Sequence, residues 1–204
     1  MARKGERRDV TLADGSRVLL DADSAFSVEV TPQLRRVHLL RGAAFFDVTP
    51  SQTPFVVATA AGDVRVLGTQ FDVRLIDDAA LVTLAKGSVA VTAGGAVTPA
   101  MLKPGQQVWF SATVTHAPVS VNVADEMAWR EGCYIFYRAR LADVVREVER
   151  YRPGRILIPA SALANERVTG SFSLADSDVA LVSLQASVGF QMRKVTERLV
   201  ILYP

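Results

Sequence analysis

Two histidines, a single cysteine and a few clustered carboxylates are the residues of this sequence best suited to chemistry. His38 and His116 lie far apart, each among β-favouring neighbours and neither with a partner spaced like a metal ligand. Cys133 stands in the run Cys133-Tyr134-Ile135-Phe136; with no histidine nearby to take its proton, it reads as a small buried hydrophobe. As the only cysteine it excludes an internal disulfide and a thiolate metal cluster within one chain. Asp77 and Asp78 have the residue type of a general acid and base couple, but they are neighbours in a turn with nothing apolar around them to raise a pKa. Asp14, Asp21 and Asp23 lack the Asp-x-Asp-x-Asp-Gly order and the closing glutamate of a calcium loop. Gly-x-Ser-x-Gly, P-loop and Gly-x-Gly-x-x-Gly signatures are missing. The sequence predicts no catalytic residue, no cofactor and no metal site, so the protein reads as a recognition module and not an enzyme.

The elements that would position a recognition surface are mostly strands. Pro54 to Leu75, PFVVATAAGDVRVLGTQFDVRL, alternates on either side of Ala61-Gly62-Asp63 and reads as two strands and a turn, with Gly68 a bulge or a close backbone approach inside the second. Val10 to Leu20 is a hairpin around Asp14-Gly15. Phe26 to Val30, Arg36 to Leu40 and Ala43 to Val48 continue as a meander, separated by Thr31-Pro32-Gln33 and Arg41-Gly42. Further strands follow at Leu81 to Ala85, after Lys86-Gly87 and at Val108 to Phe110, with Val114 to Val121 a last extended piece. LLRGAAFFDV, TAAGDVRVL and LAKGSVAVT echo one another every ~20–25 residues, as similar layers stacked into a shared core would.

Near Asn122 the pattern changes. NVADEMAWREG is polar and suits a short helical connector ending at Gly132. Cys133 to Tyr137 is then a strand, and Leu141, Val144, Val145, Val148 and Tyr151 form the apolar stripe of a helix stopped by Arg152-Pro153-Gly154. That stripe is too short for a zipper and reads as core. Arg155 to Ile158 returns as a strand, Pro159 to Asn165 connects, and Arg167 to Ser173 is another strand. A second helix is capped by Asp176 or Ser177 and ended by Gly189, with Val179, Leu181, Val182, Leu184, Gln185 and Val188 as its buried stripe. Phe190 to Val195 and Leu199 to Tyr203 close the chain as a hairpin.

The expected fold is a mainly β N-terminal domain of stacked antiparallel strands, jelly-roll or solenoid-like, over residues 8–121, a connector over 122–132, and a small α+β domain with two strand-helix units over 133–204. A formal charge of +2, spread over 204 residues without a dense basic block, argues against nucleic acid. The basic start ARKGERR reads as a solvated, poorly ordered terminus. No apolar run approaches the roughly 20 residues of a membrane span.

Taken in order, LADGSRVLLDADS, RRVHLLRGAAFFDV, PFVVATAAGDVRVLGTQFDVRL, LAKGSVAV, LKPGQQ and WREGCYIFYRARLADVVREVERYRPGRI resemble the periplasmic part of the FecR family. These are membrane-anchored regulators that pair with TonB-dependent outer-membrane transporters and extracytoplasmic-function (ECF) sigma factors. The part after Gly132 also resembles the short domain shared by secretins and by the signalling extension of those transporters. One departure is Arg140, which precedes Leu141 where the family usually has proline. The resemblance implies a periplasmic sensor that binds the transporter's N-terminal signalling domain and relays iron-siderophore type signals to an ECF sigma factor. The cytoplasmic sigma-binding segment and the membrane anchor would lie outside this sequence.

For strand addition at an edge of the C-terminal unit, the candidate partner-binding residues are Tyr134, Phe136, Arg138, Arg140, Arg155 and Ile156. A different class of function is a carbohydrate-binding β-fold, for which Trp109 and Phe110 are the one aromatic pair suitably placed, without an accompanying carboxylate pair. A third is a secretin-like assembly module, which would form rings.

Overall fold

The computed structural model describes residues 1–31 and 33–204, which divide into two compact units. One comprises Met1–Arg3 and Arg7–Met127, the other Lys4–Glu6 and Ala128–Pro204. Pro32, expected in a turn, lies outside the described residues.

In the first unit the strands are β1 (Arg8–Thr11), β2 (Arg17–Leu20), β3 (Ala25–Val30), β4 (Arg35–Arg41), β5 (Ala43–Asp47), β6 (Phe55–Thr59) and β7 (Gly62–Val66). They continue as β8 (Gln70–Ile76), β9 (Ala79–Lys86), β10 (Val89–Ala93), β11 (Ala100–Leu102), β12 (Gln106–Ser111) and β13 (Val119–Ser120), followed by the short helix α1 (Val123–Glu126). Two sheets result, ordered β1-β2-β5-β8-β9-β12-β13 and β11-β10-β7-β6-β4-β3. The β1–β2 hairpin closes where expected, with the Leu12 N–H on the Ser16 carbonyl at 2.8 Å.

The chain then departs from a meander. After β4 it turns at Gly42 into the other sheet, where β5 pairs with β2 and β8, and it comes back as β6. Because it returns from the far layer instead of folding back in place, β6 lies parallel to β4 while its neighbours in the sheet are antiparallel. The stretch around Gly68 is corrected in the same way. β7 ends at Val66 and β8 belongs to the other sheet, so Pro54 to Leu75 holds three strands and Gly68 stands at a crossing. The expected close approach is there: a Cβ on Gly68 would lie 2.7 Å from Pro50 Cα. Of the extended piece after Val114, only β13 and a Phe110–Thr115 bridge form.

Alternation along the strands sends Val18, Leu20, Phe46, Phe71, Val82, Leu84 and Phe110 from one sheet, and Val37, Phe55, Val57, Val64 and Val91 from the other, into a single buried cluster. Phe46 stacks on Phe71 with ring centres 5.2 Å apart and meets Phe55 of the opposite layer edge-on at 6.1 Å. The basic start is not a loose tail: Ala2 is fully buried and its N–H bonds the Ser24 carbonyl at 2.8 Å.

In the second unit a 3-10 turn over Ala128–Glu131 leads into β14 (Cys133–Arg140), α2 (Leu141–Arg150), β15 (Arg155–Leu157), α3 (Ser161–Asn165), β16 (Arg167–Ser173), α4 (Ser177–Val188), β17 (Gln191–Thr196) and β18 (Leu199–Tyr203). The helix α3 occupies a stretch read as plain connection. β14 pairs antiparallel with β16 in one sheet, and β15-β18-β17 form the other, with β15 parallel to β18. Leu141, Val144, Val145 and Val148 of α2 are buried as expected. Arg140 holds φ −67°, an angle a proline ring would also impose, so the helix starts at Leu141 without one. In α4 the caps are as read: Asp176 Oδ1 accepts the Val179 N–H at 3.0 Å and Gly189 is left-handed at φ +86°. Its buried face is Ala180, Leu181 and Leu184, however, and Val179 and Val182 of the expected stripe are exposed. Apolar residues surround this helix, and its own periodicity does not choose a face.

Candidate functional site

Among the described residues no group of three or more His, Cys, Asp or Glu side chains is placed to hold a metal. His116 lies edge-on to the Trp109 ring at 4.8 Å, and Cys133 is half-buried. Trp109 and Phe110 do not form an aromatic row. As successive residues of β12 they point to opposite faces, Trp109 partly exposed and Phe110 wholly in the core. A cleft of about 490 Å³ on the outer face of the six-stranded sheet holds Arg36, Val56, Asp63, Arg65 and Thr92, without an aromatic residue. Its carboxylate, Asp63, is 3.3 Å from Arg36 Nη2, so the paired acids and stacking rings of a sugar site are missing from this cleft.

The six candidate partner-binding residues divide between two strands that each end a sheet. Among the described residues β14 has a strand partner on one side, β16, and none on its other edge; the same holds for β15 beside β18. On β14 the rings of Tyr134, Phe136 and Phe172 cluster, with Tyr134 and Phe172 centred 5.3 Å apart and Phe136 and Phe172 6.1 Å apart. Phe136 is buried there, so it offers a partner main chain only, whereas Tyr134 is half-buried. The ladder shifts register between Phe136 and Ala139, and Arg138 sits in that bulge at φ +46°. Its N–H reaches Thr169 Oγ1 at 2.9 Å and its carbonyl accepts Arg167 Nη1 at 3.0 Å, while the Arg138 side chain is exposed. Arg140 is exposed at the junction with α2.

On β15, Ile156 is buried and Arg155 is exposed. The Arg155 N–H faces β18 and bonds the Arg198 carbonyl at 2.7 Å. The Ile156 N–H points the other way and donates to Glu149 Oε2 at 2.9 Å. Two residues earlier, the Gly154 carbonyl accepts Lys4 Nζ at 2.9 Å, and Lys4 Nζ is 3.5 Å from Glu149 Oε1. Next to this edge a cleft of about 250 Å³ opens between α2, β15 and α3, with Val145, Arg146, Glu149, Arg155, Ile158 and Ala164 among its walls. Glu149 and Lys4 were not legible as site residues. Glu149 flanks the apolar stripe of α2, one turn beyond Val145, and only the Pro153-Gly154 turn brings β15 back beside it.

The family description "FecR protein" matches residues 2–90. Two crystal structures of a candidate anti-sigma factor from Parabacteroides distasonis ATCC 8503, at 1.65 Å and 2.50 Å resolution, are similar over nearly the whole chain. The first has a TM-score of 0.87 at 27% identity, the second 0.86 at 28%, and each match covers 99% of this chain and 96% of the other. No curated protein matches the sequence. Among the described residues no helix is long and apolar enough to cross a membrane.

Proposed function

We propose, from the premise that this is a FecR-type signalling regulator, that it is the periplasmic sensor region of a membrane-anchored protein controlling an ECF sigma factor. In this reading residues 133–204 bind the N-terminal signalling domain of a TonB-dependent outer-membrane transporter, and arrival of a loaded transporter, of iron-siderophore type, is relayed inward. The observation that carries it is the pair of strands, β14 and β15, that each leave one edge of a small sheet without a strand partner among the described residues. Main-chain groups along such an edge give an incoming strand its affinity, and the side chains beside it select which strand enters. The partner's signalling domain resembles this unit in type, so the two could join sheet to sheet.

Titration of the isolated signalling domain of a cognate TonB-dependent transporter into this chain by calorimetry tests the reading. Saturable binding is expected. No heat and no mobility shift at ~100 µM would overturn it, because even transient contacts exceed that affinity.

A further inference from the structure

We infer that the outer face of the β14–β16 ladder is a carboxylate-recognition surface, where Arg138, Arg140 and Arg167 receive an extended acidic segment of a protein partner. This rests on the signalling reading above for the partner's identity and names the chemistry by which the partner is held. Val168 and Phe172 of β16 are buried, so alternation turns Arg167 and Thr169 to solvent. Arg140 is the ladder partner of Arg167 and shares that face. Between Phe136 and Ala139 the register shift sets two residues, Tyr137 and Arg138, against Thr169. Three arginines thus stand at neighbouring places of one exposed face. Arg167 Nη1 donates to the Arg138 carbonyl at 3.0 Å, and among the described residues none of the three guanidinium groups makes an ion pair. The carboxylates nearest to them in sequence, Asp143 and Glu166, make none either.

Two choices of residue here work against the fold. Like charges directly opposite on a ladder repel, and Arg140 faces Arg167. Arg138 holds φ +46°, a left-handed angle that glycine would adopt with less strain. No ion pair among the described residues offsets either cost. Strain and repulsion gathered on one surface mark a place kept for recognition and not for packing. Guanidinium forks take carboxylates through paired hydrogen bonds. Arg138 and Arg140 are two residues apart along β14, roughly 6–7 Å, which is also the interval between alternate side chains of an extended peptide. The fitting occupant therefore carries Asp or Glu at every second position. The β16 side of the face is polar, with Thr169 and Ser171, and lacks the aliphatic anchors by which a surface enters a membrane. A second copy of this chain meeting it face to face would set arginine against arginine.

The test titrates the full chain with a Glu-Thr-Glu-Thr-Glu peptide, followed through arginine side-chain and backbone N–H signals by NMR. A Gln-Thr-Gln-Thr-Gln peptide, inorganic phosphate and anionic phospholipid vesicles are run beside it. Saturable shifts of the Arg138, Arg140 and Arg167 side-chain signals with the acidic peptide are expected, weakening as salt rises. Arg138→Gly and Arg140→Gln should each weaken the peptide about threefold and together about tenfold. Neither should lower the urea midpoint, since each relieves a local cost. No shift at ~5 mM peptide, equal shifts with the glutamine peptide, or tighter binding of phosphate or vesicles would overturn the inference. So would a lowered midpoint in both variants, which would make these arginines structural. Undiminished binding of a cognate transporter's signalling domain by the double variant would also overturn it and leave the signalling reading standing. A signalling domain that ignores the unaltered chain while the acidic peptide still binds would overturn that reading and keep the arginine surface.

Discussion

Asp14 and Arg35 meet at 3.1 Å, Oδ2 to Nη1, deep in the first unit, and so fix the tip of the β1–β2 hairpin to the start of β4 in the opposite sheet. The Arg35 side chain is 5% exposed, also donates to the Thr49 and Thr53 carbonyls, and lies 5.6 Å from the Phe55 ring centre. The carboxylate in turn accepts the Ser16 N–H at 3.0 Å. Asp14→Ala strands a buried cation with only carbonyl partners and is expected to cost about 3 kcal/mol in urea unfolding. The double variant Asp14→Ala, Arg35→Met should cost less than the two single losses added together, since neither charge is then left alone.

Phe46 joins the two layers through Phe71 and Phe55 and has no exposed surface. Phe46→Ala is expected to lower stability by about 3–5 kcal/mol through lost burial and an unfilled cavity. Phe46→Leu should recover more than half of that. Denaturant midpoints at unchanged slope are the readout.

Gly154 is left-handed at φ +89°, and a Cβ there would be 2.1 Å from the Arg198 carbonyl oxygen. Gly154→Ala is expected to push β15 off β18 at a cost of about 2–3 kcal/mol. Hydrogen exchange should quicken at the Arg155 and Ile156 amides while β5 and β8 stay protected.

At α4, Asp176→Ala removes the acceptor of the Val179 N–H and should cost about 1 kcal/mol; Asp176→Asn should cost much less.

Glu197, in the turn between β17 and β18, is held below the usual carboxylate range by its hydrogen bond to Lys194 Nζ at 2.8 Å and by that ammonium's charge. With the folded value below the unfolded one, the small stabilisation is present above the unfolded value and is lost as pH falls through the folded one. The side chain is 89% exposed, so unfolding curves should hardly move. A carboxyl NMR titration is the sensitive probe, and Lys194→Met should return Glu197 to the ordinary range.

Much of the second unit was legible because its signals are local. The α2 stripe repeats at helical spacing, and Asp176 and Gly189 mark the ends of α4 by the bonds and angles those residue types favour. The hairpin at Asp14-Gly15 is local in the same sense. The exchange of strands between the two sheets was not legible, since Arg35-to-Phe55 pairing joins residues that no turn connects. Neither was the burial of Phe136 and Ile156, whose exposure depends on the helices packed over their strands. Lys4 and Glu149 escaped notice because their roles arise from a register set by distant parts of the chain.

β14 passes into α2 without a single spacer residue, Arg140 ending one and Leu141 opening the other. Ala139 and Arg140 are still laddered to Val168 and Arg167, and the Leu141 N–H bonds the Glu166 carbonyl at 2.8 Å. This elbow is stiff on both sides. No spacer residue is left in which strand and helix could swivel, so the direction of β14 at Arg140 sets the direction in which α2 starts.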